Sequence, residues 1–322
     1  MSSLATIDVF TLGESMLRLN APLGTRLEAT DHLEVHVAGS EANVAVALAR
    51  LGRSVSWFSR LPEGPLGRKI SGELARHGVD ISRVRLVPET RLGIFYTEVN
   101  PSPHRVTALY DRRESAAAQM TMDDVPWDHV DRVRLVHLSG ITPALSPSCR
   151  ELAQELIARV GRSGQLRSID VNYRAKLWTA AEARSCLEPM ISGIDLLIVS
   201  REDAGDVFAA FGEPEEVLFT LTELSGARNV VVTLGREGAA WRSPTDQGRA
   251  PGVAATVVDR IGAGDAFAAG VIDGLLDDDL ERGVRYGVAM GALALATKGD
   301  MLLASRAEIE GLVGGAGRTT DR

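Results

Sequence analysis

The segment VVDRIGAGDAFAAGVIDGLL, residues 257–276, sets Gly262, Ala263 and Gly264 between a strand-like VVD and a helical run that begins about Asp265. At such a turn, backbone N–H groups without intrahelical acceptors and the positive end of the helix dipole converge on one point, which suits an anion. Small residues let the backbone approach a phosphate closely. An aspartate just inside the turn can take the proton of a hydroxyl that attacks that phosphate. Taken alone, G-A-G-D reads more simply as a glycine-rich helix cap with Asp265 at the N-cap, so the rest of the chain must decide.

Other charged groups admit two readings in the same way. Arg112 and Arg113 beside Glu114 read as a solvated strand end or as an anion-binding pair, and Asp170, Asn172 and Arg174 read as a loop capped by its own side chains or as a polar site. His32, Glu34 and His36 alternate along HLEVHV, out of H-E-x-x-H register, so no metal is expected on them. There is no G-x-x-x-x-G-K-[ST] phosphate loop and no G-x-S-x-G nucleophile elbow.

The elements that must position these residues follow from periodicity. Short β-branched runs recur at 7–12, 55–58, 133–138, 168–171, 194–199 and 230–234, and the near-continuous IDLLIVS and NVVVTLG suit strands buried on both faces of a mostly parallel sheet. Between them, helices are expected up to Gly52 and Gly78, each with glycine at its C-terminus, and near 148–160, 180–192, 203–211, 215–225, 264–276, 280–297 and 305–313. This alternation predicts a doubly wound α/β domain over 1–313. Two stretches, 13–37 and about 84–113, show period 2 without helices. They predict a small antiparallel sheet, with Leu33, Val35 and Val37 on one side and a solvated polar side opposite, lying as a lid over the carboxyl ends of the parallel strands. The tail from Gly314 reads as disordered.

Composition narrows the classes. Thirty-five Lys and Arg against 43 Asp and Glu give a formal charge of −8, and no basic cluster offsets it, which argues against a nucleic-acid partner. Two cysteines, Cys149 and Cys186, cannot make a disulfide scaffold or a zinc site. No export-type N-terminus and no long apolar run are present, so the expectation is a cytoplasmic chain with no membrane partner.

With these residues in view, the chain resembles the ribokinase, or PfkB, family of carbohydrate kinases, whose signature is similar to DTxGAGDxF. AGSEANVAVALARLG at 38–52 is similar to the family's sugar-site glycine-asparagine motif, VVTLGREGA at 231–239 to its nucleotide-binding TxGxxG turn, and ALALATKGD at 292–300 to its segment near the adenine pocket. More narrowly, LGIFY at 92–96, YDRRESAAA at 110–118 and DVNYRAKLW at 170–178 resemble the sugar-site motifs of 2-keto-3-deoxygluconate kinases.

The resemblance implies a ribokinase-like fold and an ATP- and Mg²⁺-dependent kinase that phosphorylates the primary hydroxyl of a keto-sugar acid. It makes Asp265 the base, and Gly262, Ala263 and Gly264 the anion hole. Gly39, Asn43, Phe95, Tyr110, Arg112 and Arg174 become the sugar site, and Thr233, Gly235 and Gly238 the nucleotide site. The arginines suit a carboxylate, which guanidinium recognises by charge-assisted hydrogen bonds.

Three positions depart from the pattern. Phe95 stands where a tyrosine is usual, so the hydroxyl is either missing or supplied by Tyr96 in a shifted register. Ile261 replaces a threonine, and no potassium requirement follows. Ser200-Arg201-Glu202-Asp203 replaces N-x-x-E, which leaves Asp203 or Glu202 for the metal, through water. The rival expectations are a fructokinase- or ribokinase-like kinase of a neutral sugar and a non-catalytic sensor on the same fold. An apolar outer face on the lid would favour a homo-oligomer.

Overall fold

A computed structural model describes residues 7–99 and 107–314; the tail expectation, 314–322, lies outside the described residues except for Gly314, which caps the last helix. In chain order the strands are β1 (Ile7–Leu12), β2 (Met16–Asn20), β3 (Glu34–Ala38), β4 (Val55–Phe58), β5 (Arg60–Pro62), β6 (Arg85–Val87), β7 (Ile94–Glu98), β8 (Thr107–Asp111), β9 (Val133–Ser139), β10 (Leu166–Asp170), β11 (Leu196–Ser200), β12 (Val230–Thr233), β13 (Gly238–Arg242) and β14 (Gln247–Pro251). The helices are α1 (Ser40–Arg50), α2 (Pro65–Arg76), α3 (Trp127–Val130), α4 (Ile141–Ala144), α5 (Pro147–Arg162), α6 (Ala180–Ile191), α7 (Arg201–Phe208), α8 (Pro214–Ser225), α9 (Ala263–Leu276), α10 (Leu280–Leu295) and α11 (Arg306–Val313).

The main sheet has the order β14-β13-β12-β11-β10-β9-β1-β4, parallel from β4 to β12 and closed at one edge by the antiparallel hairpin β13–β14. Its parallel strands are largely apolar on both faces because side chains alternate and each face is covered, whereas the edge strand β14 is polar and mostly exposed. Phe10, Val230 and Val232 enter one core with α5, α6, α7 and α8, while Val9 and Val231 enter a second core with α1, α9 and α10. Helix α9 lies backbone-to-backbone on α10. A Cβ on Gly270 would stand 2.4 Å from the nitrogen of Gly287, and one on Gly274 would stand 2.3 Å from the Cα of Gly283. That contact fixes the helix whose N-terminus carries the G-A-G-D turn.

The second sheet has the order β3-β2-β7-β8 and departs from expectation in two ways. Its central pair β2–β7 is parallel, because β7 arrives after α1 and α2 and not through a hairpin. The polar side is also the buried one. Arg18, Asn20 and Thr97 are fully or almost fully buried, whereas Val35 and Leu109 on the apolar side are 46% and 56% exposed. Pairing among the polar residues, and with acids of the main body, replaces the solvation that the alternation rule assumes. Strand β6 belongs to a separate two-stranded sheet with β5, and residues 100–106 of the expected lid region are outside those described.

Candidate active site

The carboxyl ends of β1, β9, β10, β11 and β12 open on one side, where crevice ligands of parallel sheets bind. Two helix N-termini meet there. Gly262, with φ +86°, caps α9, and a Cβ on it would lie 2.0 Å from the carbonyl oxygen of Asp300, so the position demands glycine twice over. Ala263, Gly264 and Asp265 form the first turn, whose amides have no acceptor within the helix. A Cβ on Gly264 would meet nothing within 4 Å, so this side of the turn is open.

Asp265 does not cap α9. It is the third helical residue, and its carboxylate reaches across to α1, where Ser40 Oγ donates to Oδ1 at 2.6 Å and Asn43 Nδ2 donates to Oδ2 at 2.7 Å. Burial pushes its pKa up, while these two donors, Arg174 and Asn172 pull it down. Asn43 Oδ1 is a buried acceptor with no hydrogen-bond partner among the described residues. Asn172, held at φ +38°, donates from Nδ2 to Ser40 Oγ at 3.0 Å, and its own N–H donates to Asp170 Oδ1 at 3.2 Å. Strain of this kind in a non-glycine residue persists where the surroundings over-determine it.

The base of α1 is anchored from below. Glu41 is fully buried and accepts from Ser139 N–H at 3.1 Å, Ser139 Oγ at 2.7 Å and Thr142 Oγ1 at 2.7 Å, and burial raises its pKa. Gly39 must be glycine because a Cβ there would lie 2.4 Å from the carbonyl oxygen of Glu14.

The small sheet supplies the other wall. Phe95 is 3% exposed and stacks on Tyr110 with centroids 5.2 Å apart, so it supports Tyr110. Tyr96 points to the opposite face, beside Leu109 and Leu33, which excludes the shifted register. Arg112 lies 5.7 Å from the Tyr110 centroid and donates from Nε to Glu14 Oε2 at 2.8 Å. Its terminal nitrogen bonds the same oxygen, and Ser115 Oγ holds the other. Sequence reasoning missed Glu14: nothing in GES marks it as the partner of an arginine 98 residues away. Lys176, also missed, bonds Ala108 O at 2.7 Å and lies 5.5 Å from the Tyr110 ring, joining the β10 loop to β8.

Arg174 is exposed, and its charge acts on Asp265, Asp170 and Asp203. Asp203 Oδ2 accepts from Tyr173 N–H at 3.2 Å, and burial raises its pKa; Glu202 is exposed on the same turn of α7. Thr233 ends β12, and Gly235 has φ +59° with open space around it. Gly238 is required by packing, since a Cβ would lie 2.0 Å from the carbonyl oxygen of Ala250.

A model of the pfkB carbohydrate kinase family matches residues 6–306. The 2-dehydro-3-deoxygalactonokinase of Haloferax volcanii is 35% identical over 98% of this chain and 100% of that protein. The 2-dehydro-3-deoxygluconokinase of Bacillus subtilis is 33% identical over 92% and 91%. The crystal structure of 2-dehydro-3-deoxygluconokinase from Thermotoga maritima superposes with a TM-score of 0.90 at 30% identity, covering 96% of this chain and 99% of that one. Among the described residues, no helix is long and apolar enough to cross a membrane.

Proposed function

Since the chain belongs to the pfkB family of carbohydrate kinases, we propose that it transfers the γ-phosphoryl group of ATP to the primary hydroxyl of a 2-keto-3-deoxy sugar acid, 2-keto-3-deoxygluconate giving its 6-phosphate. The observation that carries this reading is the Asp265 carboxylate clamped by Ser40 and Asn43 in the open first turn of α9. Two of its lone-pair directions are taken, and a carboxylate has about four, so it can still accept the sugar hydroxyl proton. The amides of Gly262 to Asp265 face the developing charge, and positioning with electrostatics supplies most of the rate.

Asn43, Tyr110, Arg112 and Arg174 would hold the sugar, with Gly39 allowing its close approach and Phe95 backing Tyr110. Thr233, Gly235 and Gly238 would border the nucleotide. The small sheet would act as the lid that excludes water, as an appendage of one kinase domain spanning 1–313.

Mg²⁺ fits the donors present. Among the described residues no cluster of three or more His, Cys, Asp or Glu could hold a metal alone, but the Asp203 carboxylate would suit a hard, hydrated ion brought in by the phosphates, with Glu202 adjacent. When bound, the ion neutralises charge on the β- and γ-phosphoryl oxygens.

Relatives named for both the galactonate and the gluconate epimer support the sugar-acid class without choosing the epimer. One observation favours the second reading, a neutral-sugar kinase: Arg112 is already engaged by Glu14. A coupled ADP-release assay across both keto acids, fructose and ribose tests the proposal. Preference for the acids is expected, and equal or faster turnover of fructose would overturn it.

A further inference from the structure

Arg18 is the largest charged side chain sealed inside the molecule, at 0% exposure, and it projects from β2 on the inner face of the small sheet. A guanidinium in such a place must have every donor answered. Within the sheet, Nε donates to Thr97 Oγ1 at 2.9 Å and one terminal nitrogen to Asn20 Oδ1 at 3.4 Å, while Thr97 Oγ1 donates to the same Asn20 oxygen at 2.7 Å. The other terminal nitrogen leaves the sheet and bonds Asp259 Oδ2 at 2.8 Å and Asp300 Oδ1 at 3.0 Å.

Those two acids flank the turn that caps α9. Asp259 Oδ1 accepts the N–H of Ile261 at 3.2 Å, and its other oxygen accepts the N–H of Gly299 at 3.4 Å. The Asp300 carbonyl lies against Gly262. Ile261 itself packs on Met16, Ala38 and Phe95 of the small sheet. The turn is thus fastened at both flanks to one guanidinium and at its centre to the sheet surface that also carries Tyr110.

We infer that Arg18 is a positioning residue for the reaction: it holds the 259–264 turn in the shape that aims its amides at the transferred phosphoryl group, and makes that shape depend on the small sheet being docked. This rests on the proposed function, in which the turn cradles phosphate. Arg18 touches no reacting atom in this scheme and acts through Asp259 and Asp300. A lysine cannot reproduce the link, because one ammonium cannot span Thr97, Asn20 and two carboxylates in fixed directions.

The test compares Arg18→Lys, Arg18→Ala and Thr97→Val, the last removing the Nε acceptor and the Thr97–Asn20 hydrogen bond while leaving both carboxylate links, and so keeping the question open if the first two fold poorly. Isothermal titration with AMP-PNP and Mg²⁺ reads the turn without turnover, and steady-state kinetics on whichever sugar the wild type phosphorylates reads kcat and KM. The expected result for Arg18→Lys is a kcat lower by about tenfold or more and weaker AMP-PNP binding, with the sugar KM within about twofold of wild type. Thr97→Val should show the same pattern in smaller measure. Millimolar guanidinium chloride should restore part of the Arg18→Ala rate, and potassium chloride at equal ionic strength should not. Wild-type kcat and nucleotide affinity in Arg18→Lys and Thr97→Val would overturn the inference. So would a loss that only tracks the folded fraction, with unchanged constants in the surviving enzyme. If the wild type binds AMP-PNP but phosphorylates no sugar offered, the functional proposal fails, and the titration still judges Arg18.

Discussion

Replacing Asp265 with asparagine separates holding the substrates from moving the proton. The change is nearly isosteric, and the clamp survives it in neutral form. The new amide oxygen can accept from Asn43 Nδ2, now 2.7 Å from Asp265 Oδ2, and the new amide nitrogen can donate to Ser40 Oγ, whose hydroxyl is free to rotate. Two charge-assisted hydrogen bonds become neutral ones, at a cost of about 1 kcal/mol each, while burial of the carboxylate is relieved, so the thermal midpoint should move little. What is lost is the acceptor for the hydroxyl proton. General-base removal is worth roughly 10² to 10⁴ in rate, or about 3–5 kcal/mol of barrier.

The coupled ADP assay should therefore show kcat reduced by at least about two orders of magnitude. Titrations should give sugar and AMP-PNP affinities within a few fold of wild type. Burial also raises the Asp265 pKa, so the acid limb of wild-type kcat/KM should lie above the ordinary carboxylate range, and the residual asparagine rate should lose that limb. Turnover near wild type, or a tenfold loss of nucleotide affinity with kcat preserved, would refute the role.

Gly262→Ala should lower kcat by tenfold or more and also lower the melting temperature, because the new methyl meets the Asp300 carbonyl at a left-handed φ; normal kinetics would show that the turn can relax. Arg112→Ala alone would strand buried Glu14, so the informative variant is Glu14→Gln with Arg112→Met. It should cost about 1.5–3 kcal/mol in kcat/KM for the keto acid and much less for fructose, and equal losses would deny that Arg112 reads a carboxylate. His137 is fully buried and its pKa is pushed down to about 3, so the native state stays neutral while the unfolded chain protonates below about 6.5; up to about 5 kcal/mol of stability present above pH 6.5 is then lost as pH falls toward 3. Urea unfolding of wild type and His137→Gln at several pH values checks the sign, and identical pH slopes would refute it.

The parallel part of the main sheet and its helices were legible because these strands are largely apolar on both faces and helices such as α1 and α2 end at a glycine, signals carried within ten to fifteen residues. Strands β13 and β14 went unread. The resemblance marked Gly238 only as part of a nucleotide turn, and the structure adds a packing reason for glycine there, because Ala250 O approaches it. In the site, Asp265 could be picked out from its own neighbours. Ser40, its nearest donor, could not, since the two are 225 residues apart in sequence and a serine in the first turn of a helix has many local uses. The buried polar face of the small sheet was misjudged for the same reason. Alternation says which residues share a side, and only the acids at 259 and 300 decide which side is sealed.

A base must be ionised before it can act, and burial of Asp265 works against that. The site resolves the conflict by giving two neighbouring acids different surroundings. Burial pushes the pKa of Asp170, at the end of β10, well up, the charges of Asp265 and Asp203 add to the rise, and Arg174 and the N–H of Asn172 oppose it. Asp265 has two side-chain donors and lies in the first turn of α9 where the helix dipole favours an anion, while Arg174 draws both acids down alike. When one proton is shared between them it settles on Asp170, and the negative charge stays on Asp265. Asp170→Asn should accordingly leave the acid limb of the rate profile nearly in place. A marked downward shift of that limb would mean that Asp170 carries charge in the native site and that its repulsion sets the basicity of Asp265.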